Sequence, residues 1–161
     1  MKKTKLAVIG AGYMAEEHIK AFKDIPNLEI CGIYSRTKEK AQKIANIYSI
    51  PKVYNSISSL QEENKPKLLL VAVSEESLKS LCSEIFKYDW NILIEKPIGL
   101  NLKEAQHINE IAKKFKNQSI YPAFNRRHYS STRSVKEDIE SHKGVRIVNI
   151  LDQEDPKKAL K

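Results

Sequence analysis

The sequence predicts an α/β fold built as a doubly wound parallel sheet, on three observations. Short apolar runs alternate with stretches whose apolar residues recur at helical spacing. The run Leu68-Leu69-Leu70-Val71-Ala72-Val73 is apolar throughout, as a strand covered on both faces must be. The first apolar run passes directly into Gly10-Ala11-Gly12, the kind of tight turn by which a strand feeds a helix.

Strands are expected near 5–9, 28–34, 52–54, 67–73, 91–94 and 119–123, with helices near 14–25, 37–48, 56–63, 77–88 and 102–116. After the first strand comes G-x-G-x-x-A at Gly10, Gly12 and Ala15. Gly10 permits the turn, Gly12 lets a pyrophosphate approach the backbone, and the small Ala15 lets the helix pack on the strand. Tyr13 and Met14 open that helix, and its free N–H groups face the anion. Behind them Met14, Ala21, Phe22 and Ile25 form the expected apolar face. Read together, these residues make a Rossmann phosphate cradle; by spacing alone an ordinary tight turn would look the same.

The second strand, Leu28 to Tyr34, ends on Ser35-Arg36-Thr37, where such a fold meets the adenosine ribose. An NAD-selective site carries Asp or Glu there, and here no carboxylate stands to repel a 2′-phosphate. Arg36 offers a planar, permanently charged fork, Ser35 and Thr37 offer hydroxyls, and Lys38 and Lys40 add positive field. The electrostatics favour NADP, with NAD as the alternative cofactor. A solvated turn with Thr37 as the N-cap of helix two is the competing interpretation.

The fifth strand leaves the sheet at Ile94-Glu95-Lys96-Pro97-Ile98-Gly99. Ligands of open α/β sheets bind at the carboxyl ends of strands. A partly buried lysine there, beside an oxidised nicotinamide, suits proton transfer or polarisation of a substrate oxygen. A Lys-Pro turn with a surface ion pair is the alternative. Helix five repeats the core logic through Ala105, Ile108, Ile111, Ala112 and Phe115.

With 161 residues and 41% hydrophobic content, the chain can bury one sizeable core plus an appendage. No stretch is long and apolar enough to span a membrane, and MKKTK leads into a strand without a cleavage site, so the protein reads as cytoplasmic. Cys31 and Cys82 read as buried apolar residues of a reducing compartment, with no disulfide or metal site. The net charge of +8 comes mostly from lysines scattered over helix faces. It points to capture of a polyanionic cofactor and away from nucleic acid.

G-A-G-Y-M-A followed by His18, S-R-T after strand two, E-K-P after strand five, and Ala123-Phe124-Asn125-Arg126-Arg127 after strand six resemble the glucose–fructose oxidoreductase/inositol dehydrogenase family, Gfo/Idh/MocA. The resemblance covers residues 4 to about 150. It implies an NAD(P)-dependent oxidoreductase acting on sugars, nucleotide sugars or polyols. By that resemblance Lys96 is the catalytic residue, touching both substrate and nicotinamide ribose, Glu95 lines the nicotinamide end, and Lys96–Pro97 is a cis peptide. Asn125 and Arg127 match an N-x-R element of the cofactor pocket.

This chain departs from the family pattern in three places. After strand four it has Val73-Ser74-Glu75-Glu76-Ser77, where the family often has Thr-Pro-Asn then His, so adenosine contacts are carried over only to Val73 and Ser74. His128 stands where Phe is common, and His18, though it matches, reads as structural. The family's substrate domain, which carries its usual catalytic Asp and His and its dimer interface, would need well over a hundred further residues. The expected division is therefore a dinucleotide-binding domain over 1–123, and over 124–161 a connecting helix near 129–140 and one strand, Val145 to Leu151, of a truncated α+β domain. The substrate would join where that second domain is supplied, and a homo-oligomer is expected. By itself the chain is expected to be inactive; a non-catalytic cofactor-binding regulator or remnant is the alternative function.

Overall fold

The computed structural model describes residues 3–145 and 147–149. Its first unit, Met1–Phe124, is an alternating chain: β1 (Thr4–Ile9), α1 (Tyr13–Lys23), β2 (Leu28–Tyr34), α2 (Lys38–Tyr48), β3 (Val53–Tyr54), α3 (Ile57–Asn64), β4 (Leu68–Val71), α4 (Glu75–Ile85), β5 (Asn91–Ile94), α5 (Leu102–Ala112) and β6 (Ile120–Pro122). Six strands pair in parallel in the order β3-β2-β1-β4-β5-β6. The chain winds outward from β1 to β3, returns across β1 to β4, and winds outward again. The reversal opens a crevice between the carboxyl ends of β1 and β4, the switch point where such sheets take their ligands.

Alternation along the central strands sorts the core into two layers. Leu6, Val8, Leu70 and Ala72 join Ala15 and Ile19 of α1 and Ala41, Ile44 and Ala45 of α2 on one face. Ala7, Ile9, Leu69 and Val71 face the other way, onto Ile57 and Leu60 of α3, Leu78, Cys82 and Ile85 of α4, and Ile108 of α5. That is why the β4 run is apolar at every position. In β2 the strict period fails, because the pairing with β1 skips Cys31 between Leu6 and Ala7. The bulge puts Ile30 and Ile33, three apart, on the same face.

The sheet edge and the helix ends are settled locally. β6 is an edge strand and so tolerates Pro122. Asn101 caps α5 by accepting the Glu104 N–H at 3.0 Å, and Glu104 Oε2 accepts the Leu100 N–H at 3.1 Å. Ser56 caps α3 in the same way, accepting the Ser59 N–H at 3.1 Å.

Two expectations need correction. The core face of α1 is Ala15 and Ile19, with Phe22 partly buried, while Met14 and Ile25 are exposed and Ala21 points to solvent. The sheet touches α1 along the stripe that begins at the cradle's Ala15, one residue out of phase with the face expected from apolar spacing. The strand expected over Val145–Leu151 does not form at its described residues, Val145, Ile147, Val148 and Asn149. Val145 and Ile147 are fully exposed there, and a strand has no stability without a partner to receive its hydrogen bonds. Arg146, Ile150 and Leu151 lie outside the described residues. The second unit begins at Asn125 with a 3₁₀ turn, Asn125–His128, then α6, Ser130–Ser141.

Among the glycines, the least room for a side chain is at Gly10. Its φ is +116°, and a Cβ there would lie 2.0 Å from the Ala72 carbonyl oxygen. Gly12 has an ordinary φ of −93°, and nothing lies within 4 Å of where its Cβ would be. Gly10→Ala is therefore expected to lower unfolding stability by about 1–3 kcal/mol from the backbone conformation alone, plus the clash, whereas Gly12→Ala leaves the urea midpoint nearly unchanged. Equal midpoints for the two variants would contradict the packing described.

Both thiols are unpaired and buried, and burial pushes Cys31 up to about 11 and Cys82 up to about 12. The native protein holds these protons above pH 9.0, the ordinary thiol value, where the unfolded chain loses them. Their contribution to stability therefore falls as pH rises from 9.0 toward 11. At pH 8 a thiol-specific disulfide reagent should label neither cysteine until denaturant is added; prompt labelling of the native protein would show that these sites open to solvent.

Candidate functional site

The carboxyl ends of β1, β2, β4 and β5 enclose a cleft of about 590 Å³. Gly10, Ala11, Gly12 and Met14 form its floor at the switch point. The Gly10 N–H donates to the Tyr34 carbonyl at 2.8 Å, and the Ala72 N–H to the Ile9 carbonyl at 2.9 Å, so the turn is braced on both sides. Gly12 is the N-cap of α1 and provides no side-chain cap. The first-turn amides of α1 are thus left for an anion, and the missing side chain leaves the approach to them open. Tyr13 supplies one of those amides, while its side chain is 73% exposed and points away from the core.

On the β2 side the cleft is lined by Tyr34, Ser35, Arg36, Thr37 and Lys40. Thr37 is the N-cap of α2, yet its side chain makes no capping bond. Its N–H instead donates to Ser35 Oγ at 3.2 Å, folding the turn so that Arg36 borders the cleft. The position is both a helix start and a cationic wall. On the β5 side stand Glu95 and Lys96, and the Lys96–Pro97 bond is cis, as the resemblance implies. The Glu95 N–H donates to the Val71 carbonyl at 2.8 Å, continuing the β4–β5 ladder into the turn. Lys96 is exposed, where partial burial was expected: the turn projects beyond the end of the sheet and no element of this unit covers it.

Val73 and Ser74 line the cleft at the end of β4. The sequence did not single out the stripe beyond them, Ser77, Ser80, Leu81 and Glu84 of α4, nor Ile57 of α3. The four α4 residues follow i, i+3, i+4, i+7, one face of a helix. That periodicity was available, but three of the four residues are polar and read as solvent-facing until the cleft is seen. Glu75 and Glu84 set carboxylates in the same cleft as Arg36 and Lys40. Asn125 stands in the second unit, as the first residue of its 3₁₀ turn. Among the described residues no three His, Cys, Asp or Glu side chains stand together as a metal site, and no helix is long and apolar enough to cross a membrane.

Comparison with known proteins agrees with this architecture. Trans-1,2-dihydrobenzene-1,2-diol dehydrogenase of Xenopus tropicalis is 27% identical over 123 residues, 75% of this chain and 37% of that protein. Glucose-6-phosphate 3-dehydrogenase of Bacillus subtilis is 25% identical over 146 residues, 91% of this chain and 41% of that protein. Among solved structures, myo-inositol dehydrogenase from Lactobacillus casei, in complex with NAD(H) and myo-inositol, superposes with a TM-score of 0.80 over 86% of this chain and 42% of its own, at 23% identity. The chain thus spans less than half the length of these relatives. Residues 4–123 match the family described as "Oxidoreductase family, NAD-binding Rossmann fold". With the glycine cradle, the switch-point cleft and the cis Lys96–Pro97 turn in place, the chain belongs to the Gfo/Idh/MocA oxidoreductase family and comprises its NAD(P)-binding Rossmann domain.

Proposed function

We propose that this chain is the NADP-binding portion of a dehydrogenase that passes a hydride between nicotinamide C4 and a hydroxyl- or carbonyl-bearing carbon of a sugar, nucleotide sugar or polyol. The observation that carries this reading is a single cleft lined by Ser35–Thr37, Gly10–Gly12 and Glu95–Lys96, across three successive strand spacings from β2 to β5. Three spacings amount to about 14 Å. One extended, doubly anionic ligand satisfies all three stations.

The dinucleotide, when bound, supplies the hydride-carrying ring. The chain's own residues bind and orient it. The first amides of α1, at Tyr13 and Met14, take the pyrophosphate, and Gly12 admits it. Arg36 forks onto the 2′-phosphate with Ser35 and Thr37 donating beside it, which supports NADP over NAD. Val73 and Ser74 border the middle of the ligand, and Glu95 the nicotinamide end. Lys96 Nζ hydrogen-bonds the substrate oxygen and moves its proton as the carbon changes oxidation state. Asn125, by its match to the N-x-R element, is a further cofactor-binding residue in this reading. The sugar or polyol class rests on relatives named for glucose 6-phosphate and myo-inositol. Two unpaired buried thiols suit a reducing compartment, here the cytoplasm.

Calorimetry should show tighter binding of NADPH than of NADH, the gap narrowing as salt is raised. Arg36→Ala should weaken NADPH about tenfold or more, as loss of a charge-assisted hydrogen bond predicts, and leave NADH nearly unchanged. Equal losses would assign Arg36 to general attraction. Gly12→Val, whose Cβ would meet nothing within 4 Å, should weaken both dinucleotides; unchanged affinity would remove the cradle from the site.

Hydride transfer also needs the substrate held against the nicotinamide in a water-restricted pocket, and this cleft supplies the cofactor side of one. The 161-residue polypeptide, saturated with NADPH and offered sugars, nucleotide sugars and cyclitols, is therefore expected to show no turnover by absorbance at the nicotinamide band. Turnover abolished by Lys96→Ala would mean that these residues complete a working site.

A further inference from the structure

One hydrogen bond ties α1 to the Lys96 turn across 77 residues of sequence: His18 Nε2 lies 2.6 Å from Glu95 Oε1. Their side chains are 19% and 9% exposed. With Glu95 ionised, Nε2 must carry the hydrogen and donate it. Each partner is held at its other end. The His18 ring stacks on Phe22, with centroids 5.9 Å apart and planes 22° from parallel. Glu95 Oε2 accepts the Lys96 N–H at 3.1 Å. One carboxylate therefore bridges an imidazole on the cradle helix and the backbone of the residue facing the substrate end of the cleft.

We propose, building on the function assigned above, that His18 is a positioning residue: through Glu95 it fixes the backbone of Lys96 relative to the phosphate cradle. A nearly buried carboxylate that loses its donor must turn toward water or remain unpaired. Because its second oxygen holds the Lys96 amide, turning releases that amide too. The cradle itself is left alone, since Gly12 lies six residues before His18 and α1 packs on the sheet through Ala15 and Ile19. The bond thus couples the pyrophosphate end of the site to the nicotinamide end, and its loss should be felt at the second only.

Two substitutions separate the donor from the ring. His18→Phe keeps the stacking surface and removes the donor, while His18→Gln places an amide nitrogen the same number of bonds from Cβ as Nε2. Amide hydrogen exchange by NMR on the ligand-free chain is the first readout. In His18→Phe the Lys96 amide is expected to exchange about tenfold faster, the scale of one hydrogen bond to a charged group, with Val8 and Leu70 unchanged and His18→Gln restoring protection. The second readout is calorimetry with NADPH and with 2′-phospho-ADP-ribose, which lacks the nicotinamide. His18→Phe should weaken NADPH about tenfold and leave the fragment unaffected, again with rescue by glutamine. Unchanged Lys96 exchange in His18→Phe, failure of glutamine to rescue, or equal weakening of both ligands would overturn the proposal. Faster exchange at Val8 and Leu70 would overturn it as well, by making His18 a core-packing residue. If the wild-type chain binds neither ligand, the cofactor assignment fails, and the exchange data still decide whether His18 holds Lys96.

Discussion

The carboxyl edge of the sheet depends on how closely the Gly10 backbone lies against the Ala72 carbonyl, with no room between them for a side chain. That contact lets β1 and β4 pair to their ends and lets the chain turn into α1 within three residues. A bulkier residue would push the turn outward, carrying the N-terminus of α1 away from the crevice. Gly12 plays the opposite part: a Cβ there would meet nothing within 4 Å, so its missing side chain is not required by packing. Of two glycines two residues apart, packing thus requires one and not the other, which the pattern G-x-G does not distinguish.

The sheet around that contact is rigid because its two core layers are filled from alternating positions of the same strands. Leu69 and Val71 press on α3, α4 and α5, while Leu70 presses on α1 and α2. Side chains at the strand ends inherit this rigidity, so Ser35–Thr37 and Glu95–Lys96 keep a fixed separation although each sits on a turn. Positioning of this kind lets a binding site use exposed loops without a large ordering cost.

Charge in the cleft is mixed rather than uniformly basic. Arg36 and Lys40 stand on one wall and Lys96 at the far end, with Glu75, Glu84 and Glu95 between and opposite. The net charge of +8 belongs to the whole surface, whereas the cleft sets each charge at a particular place along its length. Glu95 shows the principle most clearly, since its carboxylate is engaged by His18 and the Lys96 amide and serves as a structural bracket.

The sequence by itself determined the element order, the parallel sheet, the cradle and the E-K-P turn, because apolar period, glycine placement and turn chemistry act over a few residues. It was silent or misleading wherever a contact spans the fold. The face that α1 buries was misjudged because Ala21 and Ile25 are apolar but look out past the sheet. The β2 bulge and the meeting of His18 with Glu95 could not be read from local pattern at all, and the α4 stripe from Ser77 to Glu84 had a helical period but nothing to say that it faces a cleft. Each arises only when strands distant in sequence are brought to neighbouring positions. Residue type and spacing decide what an element is, while packing between elements decides which of its side chains find a partner.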